Sequence, residues 1–481
     1  MKVLLTLPPE IKDLEIYRVA KIFAPPLGLA YVASVLEKFG HKVRVVDTVI
    51  DNIGLEDLLR EIRSWNPDVV GISIQTPTAP RAYRAIKEIK EEFPDLPIIA
   101  GGIHATFMYD EALDAGADVV VRGEGEYTAL ELVNTLEKHG LNPRALRRVK
   151  GIVFREGGDG RANVVTPQRP FISNLDELPW PAHHLLPMDK YLALGKKLRV
   201  AHIMASRGCP YGCIYCITSY YWGRRIRFRS AKNVLDEVEY LVDKYRINKV
   251  AFSDDELIVN RRFVYDFIKG LKERGLDVTF SCGGRVDHIN RDYLRFLFSN
   301  GCEVLYLGVE SASQRTIDRI GKRITIDQAM RAFQIANDVG IFTMASFILG
   351  FPWETLEDMK RTVKFAVKLR PSYAQFTALT PYPGTPLYKF AEEHNLIVDR
   401  NWEHYTTIKP VMRGFHFTAK ELGRMLMYAY RRFYLRPAFI VQEAVAGRLW
   451  SILKIVTNSL LSNLASALTS VRKHDRSQPQ I

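Results

Sequence analysis

Residues 209–216 read Cys209-Pro210-Tyr211-Gly212-Cys213-Ile214-Tyr215-Cys216, and they hold three of the five cysteines of the 481-residue chain. Three thiolates at CxxxCxxC spacing can ligate three irons of a cubane cluster and leave the fourth iron open to a ligand that is not protein. A structural zinc site needs a fourth Cys or His nearby, usually in paired CxxC form. The next cysteine, Cys282, lies 66 positions beyond Cys216. The spacing therefore favours an open iron–sulfur cluster at Cys209, Cys213 and Cys216 over a zinc knuckle.

A chain of 481 residues is long enough for two or three domains. Its composition is that of a globular protein, because 47% of the residues are hydrophobic and 25% are charged. The cysteines are few and clustered, which fits a reducing cytoplasm rather than a disulfide framework. We expect no signal peptide and no membrane span, since no apolar run is long enough. The net charge is +13, and residues 405–481 hold 12 Lys/Arg and 3 Asp/Glu, hence +9 of that total. The positive charge is therefore local to the end of the chain.

Residues 1–140 alternate strand-like and helical patterns, which predicts a doubly wound, Rossmann-like α/β domain with a parallel sheet. Ligands in such sheets bind at the carboxyl ends of the strands. The GxGxxG pattern is absent, which argues against a nicotinamide site. The residues at these strand ends that could contact a ligand are Gln75, Thr76, Thr78, Gly101, Gly102, His104, Gly123 and Glu124.

Residues 141–200 are expected to be a connector that holds a hairpin around Gly157–Gly160. Residues 201–400 again alternate strand and helix in six units, which predicts a partial (β/α)6 barrel. In barrels the functional residues lie at the carboxyl ends of the strands, and the first strand delivers the cysteine loop there.

Polar residues and one glycine turn follow the later strands of the predicted barrel. They are Asp254, Asp255, Glu256, Arg285, Glu310, Ser311 and Gly350. Three adjacent acids favour a cationic ligand, with a solvated helix-capping turn as the alternative. The fork of Arg285 suits a carboxylate, with a surface salt bridge as the alternative. Glu310 could bridge two hydroxyls or belong to a structural ion pair. Cys282 and Cys302 fall in predicted strands and are interpreted as buried structural thiols.

Residues 401–481 are predicted to be a basic, amphipathic α-helical region that ends in a disordered tail, Arg472–Ile481. Leu422–Tyr434 mixes apolar and aromatic residues with arginines, and Ala438–Leu468 continues as one or two apolar helices. Such segments can lie on an anionic membrane surface. They can equally pack over the open side of the barrel and form a lid over the substrate pocket.

CxxxCxxC with Tyr215 before the last cysteine resembles the signature of radical S-adenosylmethionine (SAM) enzymes. The resemblance implies that the open iron of a [4Fe–4S] cluster binds the amino and carboxylate groups of SAM, and that an electron from the cluster cleaves SAM. It also implies that Asp254, Asp255, Glu256 and Arg285 contact SAM. By the same resemblance, Glu310 and Ser311 face the ribose, and Tyr215 and Gly350 lie near the adenine.

Pro25-Pro26-Leu27-Gly28-Leu29-Ala30 and Gly101-Gly102-Ile103-His104 resemble the cobalamin (B12)-binding domain that precedes one class of radical SAM enzymes. That class includes methyltransferases, oxidative cyclases and tetraether-lipid ring synthases. The DxHxxG motif is missing, so bound cobalamin would have no protein histidine on cobalt. His104 is interpreted as a hydrogen-bonding loop residue, with a cobalt ligand as the alternative.

The combined expectation is a cytoplasmic radical SAM enzyme that functionalises an unactivated C–H position of a hydrophobic, lipid-like or isoprenoid-like substrate. The reaction is either radical cyclisation or cobalamin-dependent methylation. The expected partners are a reductant such as ferredoxin or flavodoxin and, through the C-terminal helices, a membrane surface. One alternative is an RNA-modifying radical enzyme, although no RNA-binding module is visible and no nucleic-acid partner is expected. Another alternative is a non-catalytic corrinoid-binding protein, against which the intact cysteine triad argues.

Overall fold

A computed structural model describes residues 1–14, 23–156, 162–193, 196–197 and 199–445. The predicted hairpin turn at Gly157–Gly160, most of the predicted Ala438–Leu468 segment and the predicted disordered tail at Arg472–Ile481 lie outside these residues. Within the described residues the predicted architecture is confirmed. A doubly wound α/β domain precedes a six-stranded partial barrel, and helices follow.

The N-terminal domain is built on a seven-stranded sheet. Its strands are β1 (Lys2–Thr6), β2 (Lys42–Val46), β3 (Val69–Ser73), β4 (Ile98–Gly101), β5 (Val119–Val121), β6 (Ile152–Glu156) and β7 (Ala162–Val165). Their spatial order is β2-β1-β3-β4-β5-β6-β7. The first five are parallel and rich in buried Val, Ile and Leu, as strands covered on both faces must be. The hairpin β6–β7 pairs antiparallel with β5, so the predicted connector hairpin continues this sheet past residue 140.

Helices cover both faces of this sheet. They are α1 (Leu27–Lys38), α2 (Leu55–Trp65), α3 (Ala79–Glu92), α4 (Ile103–Phe107), α5 (Tyr109–Asp114), α6 (Glu126–His139) and α7 (Pro143–Leu146). Two separate apolar cores lie on the two sides of the sheet. The short helix α4, which carries His104, begins directly at the carboxyl end of β4.

The second domain is a six-stranded parallel sheet in the order β10-β13-β14-β15-β16-β17. The strands of this sheet are β10 (Val200–Ile203), β13 (Lys249–Phe252), β14 (Thr279–Arg285), β15 (Cys302–Glu310), β16 (Phe342–Leu349) and β17 (Tyr373–Ala378). Two small antiparallel pairs lie outside it, β8 (Leu192–Ala193) with β9 (Lys196–Lys197), and β11 (Ser206–Arg207) with β12 (Arg227–Phe228). Because β10 and β17 are edges that do not pair with each other in this order, the barrel is open, as predicted.

The helices of the second domain follow the strands in turn. They are α8 (Thr218–Tyr221), α9 (Ala231–Tyr245), α10 (Arg261–Glu273), α11 (Arg291–Ser299), α12 (Gln314–Arg319), α13 (Ile326–Val339), α14 (Leu356–Leu369) and α15 (Pro386–Glu393). Side-chain caps fix where several of them begin. Thr355, for example, accepts a hydrogen bond from the Asp358 N–H at the start of α14, and the Asp358 carboxylate accepts one in return.

The C-terminal helices α16 (Ala419–Tyr434) and α17 (Pro437–Val445) pack on the barrel. The hydroxyl of Tyr434 donates to the Ala374 carbonyl at 2.7 Å and accepts from the Ala374 N–H at 3.1 Å. The hydroxyl of Tyr430 makes the same pair of bonds to Phe376. These two tyrosines satisfy the edge of β17, which would otherwise present unpaired backbone groups. Within the described part of the chain, no helix is both long enough and apolar enough to span a bilayer.

The two domains meet at the carboxyl ends of their strands. The Tyr221 hydroxyl, next to the cysteine loop, donates to the Gly123 carbonyl after β5 at 2.9 Å. A Cβ atom at Gly384, in the loop after β17, would lie 2.4 Å from the ring of Phe107 in α4. The strand ends that were predicted to carry ligands in each domain therefore lie near one another.

Candidate functional site

The cysteine loop lies between β11 and β12 and is held by its own backbone. Gly208 has φ +99°, and a Cβ atom there would lie 2.4 Å from the Arg225 carbonyl oxygen, so only glycine fits. The Cys209 N–H donates to the Gly223 carbonyl at 3.2 Å, and the Ser219 hydroxyl donates to the Cys209 carbonyl at 2.8 Å. The loop is therefore preformed around its first cysteine.

The three cysteines of this loop are free thiols with little exposure to solvent. Burial raises the pKa of the Cys209 thiol to about 11, and burial also raises the pKa values of Cys213 and Cys216. The Cys216 thiol acts electrostatically on both of the others, so the three sulfurs share one region.

No group of three His, Cys, Asp or Glu side chains in the described residues is arranged around a single metal ion. A cubane cluster needs no such convergence, because each thiolate binds a different iron. Three free thiols on one preformed loop therefore fit the donor set of an open cluster better than that of a mononuclear ion.

Two of the predicted SAM-contacting acids, Asp255 and Glu256, lie beside the cysteine loop. Asp255 accepts a hydrogen bond from the Thr218 hydroxyl at 3.1 Å. Burial raises the pKa of Glu256 to about 8, while the charges of Arg285 and Lys322 oppose that shift. Glu256 Oε2 is buried and has no hydrogen-bond partner among the described residues. A buried carboxyl oxygen without a partner suits a ligand that brings N–H or O–H donors.

Glu310 ends β15 in a left-handed conformation, with φ +70°. Its carboxylate accepts a hydrogen bond from Lys322 Nζ at 2.6 Å, and both side chains are about 7% exposed. Lys322 also acts electrostatically on Cys213 and Cys216. Sequence reasoning missed Lys322, since nothing in Gly321-Lys322-Arg323 distinguishes a buried lysine from a surface one.

Arg285 contacts two other side chains of the protein, Asp287 and Tyr211. Its Nε and Nη2 atoms donate to the two carboxylate oxygens of Asp287, both at 3.0 Å. Its guanidinium lies 3.5 Å from the centre of the Tyr211 ring, within the cysteine loop. Arg285 therefore supports the loop through Tyr211 in addition to contributing positive charge near Cys213.

Four predicted residues make contacts that hold the frame of the site. Asp254 accepts from the Ala205 N–H at 3.0 Å and from the Ser206 hydroxyl, which fixes the end of β10. Ser311 donates to Glu354 at 2.9 Å. A Cβ at Gly350 would lie 2.6 Å from Leu422 of α16. The Tyr215 ring lies 6.2 Å from the Phe351 ring, measured between centroids.

The strand ends of the N-terminal domain form a second group of loops. Thr78 caps the turn after β3, since its hydroxyl accepts from the Gln75 N–H at 3.1 Å. Gly101 ends β4. Gly102 has φ +92°, and a Cβ there would lie 2.9 Å from the Ile74 carbonyl. Only glycine fits at position 102, because the backbone of Ile74 occupies the space that a side chain would need.

His104 is fully enclosed. Its Nδ1 lies 3.2 Å from the Thr76 hydroxyl, and its Nε2 lies 3.6 Å from Glu111 Oε2. The ring of Trp402, from the region after the barrel, stands edge-on at 5.0 Å. His104 therefore contacts protein groups from three segments, while its Nε2 atom is buried and has no hydrogen-bond partner among the described residues.

Gly123 and Glu124 lie at the contact between the domains. The Gly123 N–H donates to the Thr106 hydroxyl at 3.0 Å. The Glu124 carboxylate turns away from the sheet and pairs with Arg207 and Arg227, at the two ends of the cysteine loop. Sequence reasoning missed both arginines, because their burial depends on the other domain.

Comparisons with known proteins agree with this division of the chain. Residues 16–133 match the B12 binding domain family, and residues 203–366 match the radical SAM superfamily. The chain is 40% identical over 445 residues to the uncharacterized methyltransferase PH0819 of Pyrococcus horikoshii, covering 92% of this chain and 94% of that protein. It is 34% identical over 421 residues to the anaerobic magnesium-protoporphyrin IX monomethyl ester cyclase of Rubrivivax gelatinosus, covering 86% and 75% respectively.

The fold is also found among solved structures. The cobalamin-dependent S-adenosylmethionine radical enzyme OxsB, with aqua-cobalamin and S-adenosylmethionine bound, gives a TM-score of 0.73 at 16% identity, covering 100% of this chain and 82% of that chain. The radical S-adenosylmethionine methyltransferase TsrM from Kitasatospora setae, with cobalamin and a [4Fe-4S] cluster bound, gives a TM-score of 0.65 at 19% identity, covering 82% and 75%. At these identities the likeness shows the fold alone.

Proposed function

The chain belongs to the radical SAM enzymes that carry a B12-binding domain, and on this premise we propose that it methylates an unactivated carbon of a hydrophobic substrate. The cofactors of such an enzyme are a [4Fe–4S] cluster that cleaves SAM when reduced and a cobalamin that can carry a methyl group. The observation that carries the proposal is the direct contact of the cysteine loop with the B12-binding domain through Tyr221 and Gly123. Membership of this family also removes the non-catalytic corrinoid-binding alternative.

In this proposal Cys209, Cys213 and Cys216 would hold three irons of the cluster, and Asp255 and Glu256 would contact the SAM that the cluster cleaves. The unpartnered carboxyl oxygen of Glu256 supports this placement, since the amino group of SAM brings N–H donors. Glu310 would accept from the ribose hydroxyls, with Lys322 balancing its charge in the buried site. Tyr215 and the segment after Gly350 would flank the adenine. Asp254, Arg285 and Ser311 would support this pocket from behind.

Cobalamin would lie over the turns that carry Gln75, Thr76, Thr78, Gly101, Gly102 and Gly123. A Cβ atom at Gly123 would meet no described atom within 4 Å, so the space beside that turn is open. His104 is already enclosed by Thr76, Glu111 and Trp402, which supports a role in shaping the loop rather than as a cobalt ligand.

The hydrophobic substrate is inferred from the outer face of α16. Met427, Tyr428 and Leu435 are exposed there beside Arg424, Arg431 and Arg432. An apolar face flanked by arginines suits a lipid-like molecule or an anionic membrane surface. A soluble reductant such as ferredoxin or flavodoxin is the proposed electron donor.

A second candidate is radical cyclisation, in which a new ring bond forms without addition of a methyl group. The relation to the Rubrivivax cyclase over 86% of this chain is the specific observation in its favour. Both candidates need the same cluster and SAM residues, and they differ in whether cobalamin carries the added carbon.

Mass spectrometry of total lipids tests the proposal. The protein is expressed in an anaerobic host fed with cobalamin, and the Cys213→Ala variant is the control. Methylation predicts a lipid heavier by one methylene, present only with the intact protein. A product lighter by two hydrogens would replace methylation with cyclisation. An unchanged lipid profile with cluster-loaded protein would refute the lipid substrate.

A further inference from the structure

We propose that Glu124 is a positioning residue whose carboxylate clamps the two arginines at the ends of the cysteine loop and so fixes that loop against the B12-binding domain. The interdomain clamp consists of Glu124 and Glu126 on one domain and Arg207 and Arg227 on the other. The contacts of the clamp are seen in the structure and do not depend on which substrate the enzyme uses. Its importance to catalysis rests on the proposed function, because that function places the cluster on the loop.

The two arginines lie opposite each other in the small ribbon β11–β12, where Arg207 pairs with Arg227. Cys209, Cys213 and Cys216 all lie in the segment that this ribbon closes. Like charges directly opposite each other on a strand pair repel. The ribbon therefore needs carboxylates from outside itself, and the structure supplies them from the turn after β5.

Glu124 and Glu126 balance the two positive charges. Arg207 Nη1 donates to Glu124 Oε1 at 3.0 Å, and Arg207 Nη2 donates to Glu126 Oε1 at 2.5 Å. Arg227 Nη1 donates to both Glu124 oxygens, at 2.9 and 3.0 Å. All four side chains are between 3% and 6% exposed, so solvent does little to screen these contacts.

The hydrogen-bonding capacity of Glu124 is used in full by protein donors. Each of its oxygens accepts a bond from Arg227, and each accepts one more bond, from Arg207 at Oε1 and from the Ile172 N–H at Oε2 (2.7 Å). A carboxylate offers about four lone-pair sites. No lone-pair site of Glu124 remains for an amide of the corrin ring. Glu124 therefore differs from the other strand-end residues, which are proposed to contact cobalamin.

Aromatic rings fix the planes of both guanidinium groups. The Arg207 guanidinium carbon lies 5.1 Å from the centre of the Tyr31 ring and 4.8 Å from that of Trp222. The Arg227 carbon lies 5.0 Å from the centre of the Phe171 ring. A lysine could carry the charge but could not reproduce the planar fork or the stacking.

Hydrogen–deuterium exchange on the full chain without cofactors tests the clamp directly. Glu124→Gln keeps the shape of the side chain and removes its charge, leaving one carboxylate for two buried arginines. Backbone amides of residues 207–223 should then exchange about tenfold faster or more, because breaking a buried pair favours local opening. The matched control is Glu131→Gln in α6. The carboxylate of Glu131 is half-exposed and pairs with Arg169, and neither residue belongs to the clamp. It should leave this exchange unchanged.

If Glu124→Gln does not fold, Arg227→Lys on the opposite domain tests the clamp alone and should speed up exchange of the same amides. If both variants fold, combining them should add little to either single change. Aquacobalamin, added as the probe and followed by its visible absorbance, should bind the folded variants with nearly the wild-type affinity.

In protein loaded with cob(II)alamin and reduced cluster, the electron–electron spin coupling between the two centres should differ between wild type and Glu124→Gln. Unchanged exchange of residues 207–223 in the variants would overturn the clamp. A large loss of aquacobalamin affinity with normal exchange would also overturn it, since Glu124 would then be a cobalamin contact. Neither result bears on whether the substrate is a lipid, so the two proposals can fail separately.

Discussion

Replacing Lys322 by methionine should destabilise the protein by about 3–5 kcal/mol, because Glu310 would be left as an unpaired buried carboxylate. The two charged atoms lie 2.6 Å apart and both side chains are about 7% exposed, so little of the loss can be recovered by solvation. The matched control is Lys249→Met, which breaks a pair with Glu303 whose side chains are 41% and 43% exposed. That change should cost no more than about 1 kcal/mol.

Adding Glu310→Gln to Lys322→Met should restore most of the stability, because a pair of neutral groups can replace a buried ion pair at little net cost. SAM binding should not recover. Glu310 is proposed to accept hydrogen bonds from the ribose, and loss of bonds to a charged acceptor costs about 1.5–3 kcal/mol. That corresponds to roughly a 10- to 150-fold weaker Kd.

Urea unfolding of wild type, Lys322→Met, Glu310→Gln and the double variant gives the stability cycle. Calorimetric titration of the same four cluster-loaded proteins with SAM gives the binding cycle. The reasoning predicts that the double variant is stable and binds SAM poorly. A double variant with wild-type affinity for SAM would refute the role of Glu310 at the ribose. A Lys322→Met protein as stable as wild type would refute the argument that this pair is effectively desolvated.

Three other changes test the frame of the site. Gly208→Ala should abolish most iron incorporation, measured by iron and sulfide content, because its Cβ would lie 2.4 Å from a carbonyl oxygen, whereas Gly275→Ala, at φ +61° in open space, should keep the cluster. Burial raises the pKa of Glu354 from 4.5 to about 7, so the folded state keeps a proton that the unfolded state loses. The contribution of Glu354 to the free energy of unfolding should fall by on the order of 3 kcal/mol as pH rises from about 4.5 to 7. Glu354→Gln should remove this part of the pH dependence of Tm, while the part due to Glu256, whose pKa burial raises to about 8, remains. Tyr434→Phe should cost about 1–3 kcal/mol in urea unfolding, because it leaves two edge-strand groups without partners, whereas Tyr428→Phe, at an exposed position, should be near neutral.

Local patterns predicted the elements well where hydrophobic periodicity and breakers agree. The alternation seen in residues 1–140 corresponds to real elements, such as the strand Lys42–Val46 and the helix Leu55–Trp65. The ribbon β11–β12 was missed, since two residues per strand carry no periodic signal, and its arginines read as surface residues. Helix α4 was missed for the same reason, because Ile103–Phe107 is barely one turn.

Spacing predicted which residues lie at the strand ends but could not predict the direction of each side chain. Asp254, Asp255 and Glu256 are consecutive but point differently: Asp254 accepts from the Ala205 N–H, Asp255 accepts from the Thr218 hydroxyl, and Glu256 keeps one buried oxygen without a partner among the described residues. Cys282 and Cys302 were predicted to be buried structural thiols, and this is confirmed, with their sulfurs 4.0 Å apart and both free. Arg227 pairs with Glu124, 103 positions earlier in the chain, and Lys322 pairs with Glu310 at the end of β15, and no local pattern contains either contact.

The C-terminal helix α16 shows how one segment can meet both interpretations of its sequence. Its inner face belongs to the barrel, since Tyr430 and Tyr434 bond to the backbone of β17 and Leu422 fills the space that Gly350 leaves open. A free amphipathic helix on a membrane would use those same residues to enter the lipid. In this protein they are already engaged, so any lipid contact of α16 is left to its outer face, where Met427 and Tyr428 are exposed. The inner face is therefore fixed by packing on the barrel, and substitutions on the two faces should affect stability and any lipid contact separately.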